Sequence, residues 1–482
     1  MTVEDPLAVE EAPSADGPRA SDGVWAPHRR RLSLGLVLTI TLVAFESLAI
    51  STVMPVVADD LGGLGLYGWV FSGFFLGSLF GIVSAGQAAD RRGTAVPFAV
   101  GLVLFSAGLL VGGLAPSMGV LVAARVAQGV GAGAIPAVAY TSVGRSYPPR
   151  LRPRVFAVFS SAWVIPGLIG PATSSALADA LSWRAVFLAL LPLVVLAAWI
   201  TIPVLTRTVP AAADDEAGGP AIGGPARPTD PDSDQRGVAV VLIAGVAAVL
   251  VAANGPPPAV AAALILVGVP VAVRAFLRLV PAGTLRLAPG IPAAVFVRGI
   301  LTFAFFGTDA FVSLTFQDVR DQPTWVAGTA LTAATVMWTA GAWTQDRLIH
   351  TWGPRRLVMI GFAFLAVGIA GMLGAQGLLL VPVAIAVWAW AGFGVGLAYS
   401  PLSVTVLGLA EPGRQGSAAA SIQLTDVLGT ALGTGATGAF VAVSEAQGWL
   451  TSSALRLAFS VTFTVALAGI AAARRLPTTL PT

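Results

Sequence analysis

The residues of this chain able to do chemistry are ionisable groups set inside apolar runs. Glu46 lies in "LVAFESLAIS" (Leu42 to Ser51), within a run from Leu34 to about Val57. Asp309 lies in "FFGTDAFVS" and Asp426 in "SIQLTDVLGTALG", with Gln423 one helical turn before Asp426 on the same face. Arg125 and Arg298 are the basic counterparts. A charge at the centre of a bilayer costs at least ~2.5–3.5 kcal/mol on insertion scales, so such groups mark functional cavities. Desolvation disfavours the charged form of a buried carboxylate. Glu46 is therefore expected to load and release a proton, with Asp309 and Asp426 sharing that proton or meeting a cationic substrate. Arg125 cannot deprotonate in practice, so it pairs, reaches a wet cavity or snorkels. Arg298, nearer a span end, is expected to snorkel to the headgroups. Phe45, Trp163, Phe305, Phe306, Trp388, Trp390 and Tyr399 are candidate cavity walls. Cysteine is absent, and both histidines, His28 and His350, lie in basic loop sequence. No metal site, cofactor or catalytic constellation is expected.

These residues need apolar helices to hold them. The 482 residues are 56% hydrophobic and 11% charged, with mean hydropathy +0.83, against roughly 25% charged in soluble domains. A span needs about 20 apolar residues. Fourteen segments qualify: 33–57, 67–89, 95–114, 118–141, 155–178, 184–204, 237–253, 258–279, 291–316, 326–346, 355–375, 378–403, 416–442 and 454–473. The expected fold is an all-α membrane protein with fourteen transmembrane helices. Residues 1–32 read as a disordered cytoplasmic tail and 475–482 as a second tail. The segment 205–236, with "ADDEAGGPAIGGPARPTDPDSDQ", reads as a flexible linker.

Arginine supplies all the basic residues, and its placement orients the chain. With the N-terminus inside, the outer loops receive only Arg184, Arg320 and Arg456, while the inner loops and tails take nearly all the others. That is the positive-inside bias, and it puts both termini in the cytoplasm. The pI of about 9.9 then reflects loops beside anionic lipid, and no basic soluble domain exists to bind nucleic acid.

The chain also repeats itself. Trp69 precedes Asp90-Arg91 at the spacing by which Trp325 precedes Asp346-Arg347, and Gly129, Gly131 and Pro136 match Gly394, Gly396 and Pro401. Two six-helix halves, 33–204 and 291–474, therefore flank two inserted helices at 237–279, which are expected to lie outside the transport core. Parallel repeats of this kind place a substrate site near the midplane between halves.

At Gly86-Gln-Ala-Ala-Asp-Arg-Arg-Gly93 the sequence resembles the major facilitator superfamily, whose loop signature is G-x-x-x-D-R-x-G. "RVAQGVGAGA" (Arg125 to Ala134) looks like its span-4 motif, "PGLIGPATSS" (Pro166 to Ser175) its span-5 antiporter motif, and "SWRAVF" (Ser182 to Phe187) its entry to span 6. The count of fourteen points to the drug/proton antiporter branch. The resemblance implies a gating role for Gly86, Asp90, Arg91 and Gly93, with Asp90 latching against the start of span 13, and for their counterparts Asp346 and Arg347. It implies a close-packed bend at Gly167, Gly170 and Pro171. Ser174-Ser175 depart from the family's paired glycines.

The function expected is a proton-coupled exporter of hydrophobic or amphipathic compounds, drug-like or lipid, working by alternating access as a monomer in a bacterial plasma membrane. Its partners are protons, that substrate and membrane lipids. A proton symporter importing a nutrient, or a membrane receptor or scaffold without transport, are the alternatives; an enzyme is not expected.

Overall fold

The computed structural model describes residues 23–148, 151–207, 235–411 and 414–479. Most of the predicted tail 1–32 and linker 205–236 falls outside these residues. The described edges differ from the expectation: α1 (Pro27–Leu61) already begins inside the predicted tail, with a proline in its first turn. Its early residues Leu32 and Ser33 are buried.

Every secondary-structure element among the described residues is helical. In the first half α1 is followed by α2 (Tyr67–Arg92), α3 (Ala95–Gly113), α4 (Met118–Ser146), α5 (Arg152–Ser161), α6 (Val164–Ala180), α7 (Trp183–Leu188) and α8 (Leu191–Arg207). A hairpin follows, α9 (Gln235–Ala253) and α10 (Pro258–Leu279). The second half holds α11 (Ile291–Asp309), the short α12 (Val312–Leu314), α13 (Thr324–Ala375), α14 (Val381–Leu409), α15 (Gln415–Gln447) and α16 (Thr451–Ala473).

Twelve helices among the described residues are long and apolar enough to cross a membrane, rather than fourteen. Two expected spans account for the difference. The fifth, 155–178, is split into α5 and α6, with Ala162 and Trp163 between them. Pro166 explains the break: its ring lacks an amide donor and clashes with the carbonyl four residues back, that of Ala162. The tenth and eleventh are joined in the 52 residues of α13, interrupted at Gly353 (φ 72°, ψ 163°).

Glycine contacts show how each half is assembled. Gly129 and Gly133 of α4 lie directly on the Phe74 and Ser78 carbonyls of α2, and Gly131 lies on the Gly101 carbonyl of α3. No Cβ fits at these positions, and small residues of this kind let helix backbones approach closely. The second half repeats the arrangement. Gly392 and Gly396 of α14 lie on the Ala334 and Trp338 carbonyls, and Gly394 on that of Gly361. Along α14 the first leg of α13 runs parallel and the second antiparallel (Gly368 faces Ala391, Gly361 faces Gly394). The chain therefore reverses at Gly353, as it does at Gly93 (φ 78°, ψ 173°) between α2 and α3.

The repeat is present, but its register differs from the sequence match. Gly129, Gly131 and Gly133 correspond to Gly392, Gly394 and Gly396, two residues earlier than the paired glycines and prolines implied. Gly93 corresponds to Gly353, which shifts the Trp/Asp-Arg match by one helical turn. A slip of one turn keeps the same face outward, so periodicity alone does not detect it.

The two halves meet at the end of the bundle away from the chain termini, here called the distal end. Gly68 of α2 packs on Gly438 of α15. The Ser72 hydroxyl donates to the Ala431 carbonyl at 3.0 Å. Gly328 of α13 meets the Pro171 carbonyl of α6, and Gly167 meets Thr335. The Gln317 amide donates to the Thr52 carbonyl at 3.0 Å. Towards the terminal end a cavity of about 1240 Å³ opens between α2, α15 and α11, flanked by α9 and α10. The hairpin is thus beside the core yet touches its seam: Leu250 of α9 packs on Gly435 of α15.

Candidate functional site

Glu46 sits near the middle of α1 and is 3% exposed; Arg125 of α4 is 1% exposed. The structure brings them together in a salt bridge from the Arg125 NH1 nitrogen to the Glu46 Oε1 atom. The same nitrogen donates to the Gln128 side-chain oxygen at 2.8 Å, and Nε donates to the Val70 carbonyl at 3.2 Å. The Phe74 ring lies against the guanidinium, 4.1 Å from its carbon to the ring centroid. Arg125 thus takes the interior role and does not snorkel. A buried pair survives desolvation only when further hydrogen bonds complete it, and Gln128, Val70 and Phe74 supply that completion. The arrangement leaves the Glu46 Oε2 and the Gln128 Nε2 atoms buried and without partners among the described residues. These two atoms offer an acceptor and a donor inside the helical bundle.

The second half carries a different cluster. Arg298, expected to snorkel, is instead 4% exposed. Its Nε donates to the Asp426 Oδ1 atom at 2.7 Å and its NH1 to the Tyr399 carbonyl at 2.6 Å. The Tyr399 hydroxyl donates to the Asp426 Oδ2 atom at 3.1 Å. The correction has a simple cause. The sequence showed how near Arg298 stands to a span end, but not that α15 places a carboxylate opposite it. Gln423 does not join this cluster; it is exposed and lines the large cavity, one turn from Asp426.

Asp309 is buried at the end of α11, apart from both clusters, and has no ion-pair partner among the described residues. Trp388 presents its indole towards this carboxylate without closing a hydrogen bond of ordinary geometry. In the glycine register Trp388 occupies the α14 position equivalent to Arg125 in α4. The first half therefore answers its acid with a fixed cation, and the second answers its own with an aromatic ring. Phe305 stacks on Trp388 with centroids 5.4 Å apart and meets Trp338 edge-on at 5.4 Å. Trp338 continues to Tyr399, and Phe306 reaches across to Phe75 of the first half at 6.5 Å. Trp390 and Trp163 are about half exposed and stand outside this group.

The motif residues sit at turns and seams. Gly93 ends α2 with the positive φ that favours glycine. Gly86 is buried and Arg91 exposed; the side chain of Asp90 lies outside the described residues. Asp346 and Arg347 are exposed, one turn before the positions equivalent to Asp90 and Arg91. Gly167 and Pro171 form the α6–α13 seam, and Gly170 lies beside Phe45 of α1. Ser174 and Ser175 turn their hydroxyls back to the Pro171 and Ala172 carbonyls, 3.0 Å each. They stay small and satisfied, so the departure from paired glycines leaves the close packing intact. In "SWRAVF" the Trp183 indole and the Arg184 guanidinium both donate to Asp60 at the end of α1, at 3.0 and 2.7 Å.

Sequence reasoning missed three participants. Gln128 was legible as the residue one turn after Arg125 inside a quoted motif. From the sequence Tyr399 reads only as a cavity wall. Glu445, at the distal end of α15, accepts the Leu64 amide at 3.1 Å and the Gly65 amide as well; nothing in its local sequence marked it.

Comparison with known proteins agrees with this architecture. A "Probable multidrug-efflux transporter" of Mycobacterium tuberculosis (strain ATCC 25618 / H37Rv) is 29% identical over 93% of this chain and 96% of its own length. "Multidrug resistance protein 3" of Bacillus subtilis (strain 168) is 29% identical over 32% of this chain. With that protein and several similar relatives, the chain spans only about a third of the relative's length. Among solved structures, a D-xylose-proton symporter superposes with TM-score 0.66 at 14% identity, covering 94% of this chain and 99% of the other. An auto-inhibited POT family peptide transporter gives 0.67 at 16% identity, covering 93% and 98%. Likeness at such identities speaks for the fold. The profile of the Major Facilitator Superfamily matches residues 36–434, and the chain, a multi-pass helical membrane protein, belongs to that superfamily.

Proposed function

We propose that this transporter exports hydrophobic or amphipathic compounds, drug-like or lipid, in exchange for protons across a bacterial plasma membrane. The observation that carries the reading is the buried Glu46–Arg125–Gln128 cluster. Its free carboxylate oxygen stands midway along a spanning helix, where a two-half transporter holds its coupling site. In the working cycle, protonation of Glu46 releases it from Arg125 and loosens α1 against α4 within the first half; deprotonation on the other side restores the pair. Asp309, with its ring of Phe305, Trp338 and Trp388, offers an apolar, π-rich wall with one carboxylate, suited to a lipophilic cation. The efflux names of the relatives support the outward direction.

The terminal end is assigned to the cytoplasm because the arginines gather there. Fourteen crossings fit best. An unbroken 52-residue helix would run about 78 Å against a hydrocarbon core of about 30 Å, and α13 reverses at Gly353. The pair α5 and α6 together supplies one crossing. The chain then stands open to the cytoplasm and closed outside.

Proteoliposomes with an imposed pH gradient and a lipophilic cationic dye test this reading. Wild type is expected to move dye against its gradient, and Glu46→Gln to bind dye without proton-driven accumulation. Glu46→Asp, which keeps a titratable group, retains part of the rate. Accumulation by Glu46→Gln at the wild-type rate would move coupling to Asp309, and dye uptake in the same direction as the proton would make the protein an importer.

A further inference from the structure

The cavity of about 1240 Å³ at the terminal end lies outside both buried clusters. One of its walls is α10. Val271, Arg274, Ala275, Arg278 and Leu279 all line it, and their spacing puts them on one helical face. An apolar helix packed beside a transport core has no packing reason to turn two arginines inward. The opposite wall is apolar on α2, with Leu79, Ile82 and Val83, while α15 adds Ala418, Ala420 and Leu424 beside Ser417, Ser421 and Gln423. Glu411 and Arg414 also border the cavity but face each other at 3.6 Å, so their charges are mutually answered. Arg274 and Arg278 have no ion-pair partner among the described residues. The site therefore carries about two uncompensated positive charges at the mouth of an apolar chamber. Arg278 stands at the end of α10, while Val271 lies about 10 Å further along the helix.

We infer that this chamber binds an anionic phospholipid of the membrane, its phosphate on Arg274 and Arg278 and its acyl chains along α2 and α15. Charge and position agree: Arg278 lies in the last turn of α10 and Arg274 one turn before it, where a headgroup would lie, and the apolar wall of α2 extends inward from them. A free anion would satisfy the arginines but leave the apolar wall wet. The α9–α10 hairpin thereby gains a purpose, as the outer wall of a lipid site on the seam between halves. A lipid lodged there keeps α2 and α15 apart and so favours the arrangement open at the terminal end.

The test is lipid retention by the full-length protein in detergent, read by native mass spectrometry with added phosphatidylglycerol or phosphatidylcholine. Wild type is expected to hold phosphatidylglycerol in preference to phosphatidylcholine. Arg274→Ala/Arg278→Ala should weaken phosphatidylglycerol binding about 30-fold, from about 1 kcal/mol per basic residue at an anionic surface. Val271→Trp, which keeps both charges and fills the chamber, should also reduce retention, and inorganic phosphate should not displace the lipid. Equal retention by the double variant overturns the proposal. Full retention by Val271→Trp places the lipid on the outer surface instead and overturns the chamber. Displacement by phosphate makes the ligand a soluble anion. None of these readouts uses transport, so the result stands apart from the direction of export.

Discussion

Glu445 is the acid whose removal should be easiest to read. Its carboxylate, on the second half, accepts the amides of Leu64 and Gly65, on the first. These amides stand at the entry to α2, where backbone N–H groups point outward and favour an anion. The contact exists only while the distal end is closed. Hydrogen bonds to a charged group contribute about 1.5–3 kcal/mol each when shielded. Glu445 is exposed, and exposed charge interactions fall to about 1 kcal/mol or less. Two such bonds then favour closure by about 1–2 kcal/mol, a factor of roughly 5–30 in the closed-to-open ratio. Glu445→Ala should lose all of this, and Glu445→Gln, which keeps one acceptor, about half.

The chain has no cysteine, so paired spin labels are straightforward to place. Leu114 in the first half and Leu378 in the second are exposed distal positions. Labels at these sites should give a short-distance population in wild type and an added long-distance population in Glu445→Ala. Identical distance distributions in the two proteins would refute the clasp and leave Gly68–Gly438 packing to hold the end shut.

Three further outcomes are expected. Arg125→Ala strands Glu46 in a buried site and should lower unfolding stability by about 3–5 kcal/mol. Glu46→Gln/Arg125→Met should recover much of that stability but no proton-driven transport, as thermal melts and dye uptake on one preparation would show. At the two chain reversals, Gly353→Ala should lower the melting temperature more than Gly93→Ala. Both force a side chain into a region costing about 1–3 kcal/mol, but the Thr478 carbonyl presses on Gly353 while nothing lies near Gly93; equal losses would discount that contact. Gly68→Leu should open the distal end in the same spin-label measurement, because even a Cβ there meets the Gly438 Cα at 2.5 Å.

The membrane class, the two halves and the acids inside spans were all legible in the sequence, because each rests on composition or on local spacing. What the sequence did not carry was partnership. Arg298 was read by its depth in one helix, while its fate was decided by Asp426 on another, far along the chain. Gln423 was read as a neighbour of Asp426 because helical spacing puts them on one side. A side chain of three carbons and a wide cavity were enough to point it elsewhere. The repeat was legible as a pattern and misread in register for the same reason. The Trp/Asp-Arg match slipped by four residues, which returns the same face; the glycine match slipped by two because three alternating glycines in each copy match themselves two residues on, and only backbone contact at glycine fixes the register.

That corrected register changes the meaning of the acids. If the halves were chemically equivalent, Asp309 would face an arginine as Glu46 does. Trp388 stands at that position instead, stacked on Phe305. A carboxylate held by a guanidinium keeps its partner until a proton or a rival cation displaces it. One held beside an indole has no cation to lose and is free to take one from the substrate. The two halves thus share a backbone and divide the charge chemistry. In the function proposed above, the first exchanges a proton against an internal cation and the second receives a cation from outside. A duplicated scaffold permits this because Arg125 and Trp388 each stand one turn before the glycines that seat α4 and α14 on their neighbours, so the backbone seam can stay fixed while the side chain one turn away changes.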